Sequence, residues 1–156
     1  MIEKILENAR GKCDWFDIYT SESQSTPIQF KNNRLYTVKE GQNSGVGIRL
    51  NKGGKTGISF TNDVSKAENL VERALGLAAY GEEEKIDLPD KGLEYPEIGR
   101  SEPCELDMNG EIEKGILAVE KIRNNISDVD VDISISGGSG SRRLVNSRGL
   151  DLKDSY

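Results

Sequence analysis

Between Trp15 and Phe60 every apolar run is too short for a helix, and each gives way to residues that turn the chain. Trp15 to Thr20 and Thr26 to Lys31 read as strands, rich in aromatic and β-branched residues. Asn32-Asn33 then predicts a turn, because Asn tolerates positive φ at little cost. Arg34 to Val38 continues as a strand, with Leu35 and Thr37 on one face and Tyr36 and Val38 on the other. Gly41 to Asn43 predicts the next turn. Ser44 to Leu50 sends Val46, Ile48 and Leu50 inward, and Lys52-Gly53-Gly54 turns into Thr56 to Phe60. Consecutive short strands with tight turns describe an antiparallel meander.

Amphipathic helices flank it. Ile2, Ile5, Leu6 and Ala9 share one helical face, and Gly11 stops that helix. Beyond the meander, Asp63 can cap a helix over 64–80, with Ser65 and Glu68 at capping-box spacing. Val64, Ala67, Leu70, Val71, Ala74, Leu75 and Ala78 form its stripe, and Gly81 ends it. The apolar face of the meander is the natural destination of that stripe.

From Glu82 to Asn109 the character changes. Three consecutive glutamates, Pro89, Pro96 and Pro103 leave scattered apolar residues, which predicts an extended acidic connector across the surface. Ile112, Ile116, Val119 and Ile122 then stack on a second amphipathic helix. Val129, Val131, Ile133 and Ile135 alternate with Asp128, Asp130, Asp132 and Ser134 as a half-buried strand. Gly137 to Ser141 turns into Leu144-Val145, and Arg148-Gly149 turns into Leu150-Asp151-Leu152. The expected fold is α+β: an antiparallel β-meander packed against amphipathic helices, followed by a second helix and a β-hairpin. Its expected divisions are a domain over 1–81, the connector over 82–109 and a helix plus hairpin over 110–156. The last strand is still open at Tyr156, which predicts continuation into a longer parent protein.

Charge and residue usage exclude whole classes of function. The 156 residues suit one ordinary domain, and about 68–70% of the unfolded surface can be buried at that length. A net charge of −6 is the wrong sign for a nucleic-acid footprint. No apolar run approaches the roughly 18 residues of a membrane span. Glu3 and Lys4 stand where a signal peptide needs its apolar region, so the expected location is cytoplasmic. The chain has no histidine, which removes from it any His general base, Ser-His-Asp or Cys-His site, and His-ligated zinc. Cys13 and Cys104 make no metal-ligand spacing.

The remaining chemistry-bearing patterns each have a structural explanation. Gly54-Lys55-Thr56 resembles the tail of a phosphate loop, but Arg49 stands where its first glycine belongs and a strand follows the lysine, so it reads as a hairpin turn. Gly45-Val46-Gly47 fails as a dinucleotide fingerprint at Leu50, and Gly138-Ser139-Gly140 fails at Arg143 and reads as a flexible turn. Asp128, Asp130 and Asp132 are the dense carboxylate cluster. A calcium loop needs glycine at Ile133 and glutamate at Ser139, so the three read as a solvated strand face with Arg142 and Arg143 as counter-charges. Trp15 and Phe16 read as packing residues, and the Asn125-Ile126-Ser127 sequon carries nothing without secretion. The expected catalytic, cofactor-binding and metal-ligating sets of this chain are all empty.

Order and spacing add a resemblance. Asp17-Ile18-Tyr19, Ile28 to Leu35, Gly45 to Arg49, Gly57 to Asp63 and Leu70 to Leu75 together resemble the N-terminal part of the TldD/PmbA family, whose members are often named modulators of DNA gyrase. Val145 to Leu152 also resembles a family stretch. The resemblance implies a cytosolic metallopeptidase system that acts on small unstructured polypeptides, with two subunit types pairing. It places zinc on an HExxxH helix of the active subunit type, where Glu activates the bound water. This chain has no such motif, so it is expected to hold no cofactor and no activity alone, with zinc confined to the parent. The expected role is a scaffold and subunit-pairing portion, its partners a second family subunit or a second copy and, through the parent, an unfolded polypeptide. No nucleic acid or membrane partner is expected. The alternatives are a non-catalytic interaction module that binds a peptide or protein at a sheet edge, and a cation binder using Asp128, Asp130 and Asp132.

Overall fold

The computed structural model describes residues 2–92 and 107–156, without the Val64 side chain. In chain order it comprises α1 (Ile2–Ala9), β1 (Trp15–Lys31), β2 (Arg34–Val38), β3 (Gly41–Lys52), β4 (Lys55–Thr61), a 3-10 helix (Val64–Asn69), α2 (Leu70–Ala78), α3 (Met108–Asn125), β5 (Ile133–Asn146) and β6 (Asp151–Ser155). The six strands form one sheet in the order β4-β3-β1-β5-β6, with β2 paired to β1. The α+β class and the antiparallel meander stand.

Turn chemistry sets the hairpins. Asn32 and Asn33 have φ of 48° and 68°, and Gly53 and Gly54 have φ of 59° and 83°. Two successive residues in the left-handed region match the right-handed twist of flanking strands. The second pair closes β3 onto β4 with Lys52 opposite Lys55, so Gly54-Lys55-Thr56 is a hairpin and the start of a strand. Two expected boundaries move. The two strands read between Trp15 and Lys31 are one strand of 17 residues. Gly41 already belongs to β3, and Lys39-Glu40 link it to β2.

The chain forms two compact units, each assembled from separated segments. The first holds the described residues of 2–22, 43–92 and 141–155. Its core is built on Ile18, Ile48, Leu50, Leu70 and Val71, joined by Ile5 and Ala9 of α1 and by Val145. The expected helix over 64–80 divides at Asn69. Asp63 caps its start by accepting from the Ser65 N–H at 3.1 Å, the backbone runs as a 3-10 helix, and α-helical geometry begins at Leu70. Ala67, Leu70, Val71, Ala74 and Ala78 are buried as expected, while Leu75 is half-buried against the core. What meets α2 on β4 is a glycine rather than a large side chain. A Cβ at Gly57 would stand 2.0 Å from the Ala74 carbonyl oxygen, so only glycine allows this approach. The described part of the acidic segment is pinned rather than loose. Thr56 donates its N–H to the Glu82 carbonyl at 3.3 Å, Glu84 donates to that of Gly54 at 3.0 Å, and Leu88 is buried. Pro96, Pro103 and Cys104 lie outside the described residues.

The second unit holds the described residues of 23–42, 107–140 and 156, around Ile28, Phe30, Val119 and Val131. Asp107 caps α3 by accepting from the Gly110 N–H at 3.2 Å. The expected stripe on this helix is corrected. Gly115 faces the Phe30 ring so closely that a Cβ would meet its Cε2 at 2.2 Å, and the inward face runs Ile112, Gly115, Val119. Ile116 and Ile122 are instead 43% and 38% exposed. The half-buried strand over 129–135 is also corrected. Asp128 adopts φ of 57°, which a strand does not allow, and β5 begins at Ile133. The expected turn at Gly137 to Ser141 does not occur, since β5 runs straight through it. A Cβ at Gly138 would approach the Gln24 carbonyl oxygen to 2.5 Å, so this glycine serves close backbone contact rather than reversal.

Candidate functional site

The outward face of the first unit's sheet carries part of its exposed apolar surface. Because Phe16 and Ile18 point into the core, alternation sends Trp15, Asp17 and Tyr19 to the opposite face. Arg49 joins them from β3, donating Nε to Asp17 at 3.0 Å, with its guanidinium 5.6 Å from the Trp15 ring centre. In the β3–β4 register Ile58 stands opposite Arg49, and Phe60 opposite Gly47. Ile58 is 57% exposed and Phe60 77%. Gly57 and Ser59 take the inward positions under α2, which forces the large residues outward. That signal was present in the sequence as a small-large alternation, and the sequence reading did not assign its faces.

The same strand ends the sheet. The outward Thr56 N–H is taken by Glu82, and the strand period turns the N–H groups of Ile58 and Phe60 to that same edge. The bridge that covers the edge pairs Lys55 with Glu83, and no described strand flanks β4 beyond it. Beyond Thr56, backbone donors and acceptors of this edge have no partner strand among the described residues and stand beside two exposed apolar side chains, the arrangement that accepts an added strand.

The expected carboxylate cluster is drawn into structural work. Asp130 accepts from Asn33 Nδ2 at 3.1 Å, Asp132 accepts from the Asn32 N–H at 3.0 Å, and the Val131 N–H donates to Asn33 Oδ1 at 2.9 Å. All three residues stay exposed, and two of the three carboxylates also clasp the β1–β2 turn. Arg143 does not serve them. It grips Asp151 through two bonds of 2.8 Å and reaches Glu3 at 3.4 Å. That fork holds the Asp151 carboxyl below its ordinary pKa. The Asp63 carboxyl is lowered to about 2, chiefly by the Ser65 hydroxyl and then by Lys66. Burial, reinforced by the charge of Asp14, raises the Cys13 thiol, which is the reverse of what a reactive thiolate needs.

These residues do not fit the zinc that the family resemblance implies. Zinc sites take Cys, His and carboxylate ligands in a tetrahedral set. This chain has no histidine, and the described residues contain no group of three His, Cys, Asp or Glu placed to hold a metal. No described helix is long and apolar enough to cross a membrane.

Residues 16–78 match the family model described as PmbA/TldA metallopeptidase domain 1. That segment is similar to the TldD/PmbA family. That TldD/PmbA-like segment spans most of β1 through α2, and so includes β4 and its outer edge. No curated protein sequence matches the chain. Among solved structures, TldE from Thermococcus kodakarensis is similar over 99% of this chain and 36% of its own, with 19% identity and a TM-score of 0.83. A Thermotoga maritima protein named as a modulator of a DNA gyrase is similar over 99% and 37%, with 20% identity and a TM-score of 0.74. Another of that name from Bacteroides thetaiotaomicron gives 98% and 36%, with 15% identity and a TM-score of 0.67. These likenesses establish the TldD/PmbA fold, and the chain spans about a third of the length of the solved chains it matches.

Proposed function

We propose that this chain is the N-terminal scaffold and subunit-pairing portion of a TldD/PmbA-type metallopeptidase system that acts on small unstructured polypeptides in the cytoplasm. The supporting observation is the family match over residues 16–78, set within a fold shared along 98–99% of the chain. Histidine ligands for zinc are absent from this chain, so the zinc belongs to the remainder of the parent or to its partner. Its own contribution is to position that catalytic part and to pair with a second family subunit or a second copy. Mixing the purified chain with the HExxxH-bearing family subunit of the same organism tests this in the ultracentrifuge and in a digestion assay on an unfolded peptide. Co-sedimentation is expected, with cleavage confined to the metal-bearing subunit. Failure to associate, or chelator-sensitive cleavage by this chain alone with stoichiometric zinc, overturns the reading.

The β4 edge favours a second reading, a non-catalytic module that adds an extended peptide or protein segment along Ile58 to Phe60. A Phe60→Lys substitution would abolish such binding while leaving the fold intact, since the side chain is exposed. Binding of extended peptides that is indifferent to this substitution counts against it.

A further inference from the structure

The second unit carries a groove of about 560 Å³ between β2 and α3, within the size range of ligand pockets. Its floor is apolar: Phe30 and Val119 from the core, with Leu35 and Ile116 left 45% and 43% exposed. Its rim is charged. Arg34 from β2 and Arg123 from α3 both line it, and neither has an ion-pair partner among the described residues. Elsewhere Arg49, Arg143 and Arg148 are each matched to aspartate, whereas Arg10 and Arg73 stand singly on the surface rather than together around an apolar floor. In a chain of net charge −6, two guanidinium groups against the single Glu120 carboxylate leave the groove net positive around an apolar floor. Ile116, Glu120, Arg123 and Asn124 follow helical spacing and so present one face to the groove.

From this juxtaposition we propose that the groove binds the C-terminal end of a polypeptide. The terminal carboxylate lies against Arg34 and Arg123, which offer the planar fork geometry that carboxylates prefer. The last apolar side chain covers Leu35 and Ile116, above the buried Phe30 and Val119. Glu120 decides between a peptide and a simple anion such as a fatty acid. Its carboxylate repels a ligand that brings only negative charge, but it accepts from the backbone N–H of a peptide that also brings a carboxylate. Asn124 adds an amide that can both donate and accept. The site needs no metal and no second subunit, so it stands apart from the metallopeptidase reading.

Fluorescence anisotropy on the full chain tests it with a labelled Gly-Ser-Gly-Ala-Leu peptide as the free acid, the same peptide amidated, and an amidated peptide with an internal glutamate. The free acid is expected to bind about tenfold more tightly than either amide. Arg34→Gln and Arg123→Gln should each weaken it about tenfold, while Arg73→Gln, on α2, should leave it unchanged. Ile116→Asp, at an already exposed position, should abolish binding without loss of helical circular dichroism. Absence of binding, equal binding of acid and amide, or indifference to both arginines overturns the proposal. Preference for the internal glutamate also overturns it, and assigns the groove to acidic side chains instead.

Discussion

At the scale of single residues, three small side chains on or near β4 make opposite predictions. At Gly57 an added methyl group has no free direction, since the Ala74 oxygen and the Ala78 nitrogen stand 2.0 and 2.6 Å from its ideal position. Gly57→Ala should lower stability by about 3 kcal/mol, read as a shift in the urea midpoint. Gly76 lies inside α2 with nothing within 4 Å, so Gly76→Ala should raise stability by about 0.5–1 kcal/mol. Ser59 buries a hydroxyl oxygen that finds no partner among the described residues. Ser59→Ala should therefore be stabilising, by about 1 kcal/mol, and a loss of stability would show that the hydroxyl is satisfied. Sequence reading reached the residues whose preference is local. Asn32-Asn33 and Gly53-Gly54 turn because their own backbones tolerate positive φ. It missed Gly115 and Gly138, whose reasons lie in the Phe30 ring and the Gln24 carbonyl, far away in sequence.

At the scale of elements, burial ranks the effects of truncation along α2. Leu70 is fully buried, so Leu70→Ala should cost about 2–5 kcal/mol. Leu75 only rests against the same core, and Leu75→Ala should cost about 1–2 kcal/mol, between the core and surface ranges. The 3-10 helix before it brings a dependence on acid. The folded Asp63 carboxyl titrates at about 2, below the ordinary 3.8, so its contribution is complete above about pH 5 and is lost as the pH falls toward 2. Asp63→Asn keeps a capping side chain and removes the charge, so its unfolding midpoint should fall less steeply between pH 4 and 2 than that of the native chain. Equal slopes would show that Asp63 does not contribute to the acid transition. Periodicity found α1, the meander and α2 because each has an apolar pattern that matches its geometry. It misplaced the strand before Ile133 for a definite reason. The alternation of Val129, Val131 and Asp130 imitates a strand, whereas Asp130 and Asp132 are held by Asn33 and Asn32 in an irregular clasp.

At the scale of the whole molecule, the compact units do not follow divisions along the chain. The first unit needs residues 141–155, from which Val145 enters its core and Ser147 accepts from the Phe16 N–H at 3.2 Å. A fragment of residues 1–109 should therefore lack a cooperative thermal transition, although it contains the whole family-matched segment. A sharp transition in that fragment would show that 141–155 is dispensable. Such long-range closure is not legible in a sequence, where composition marks a connector but not which distant segments rejoin beyond it.

That closure also sets a timetable for the newborn chain. Phe16 leaves the ribosome 131 residues before the serine that accepts its amide hydrogen. At roughly 5–20 residues per second, the wait is about 7–26 s. Throughout it Ile18, Ile48 and Leu50 are already made while Val145 is not, so the young protein presents an incomplete core to the cell, an interval in which a chaperone can act.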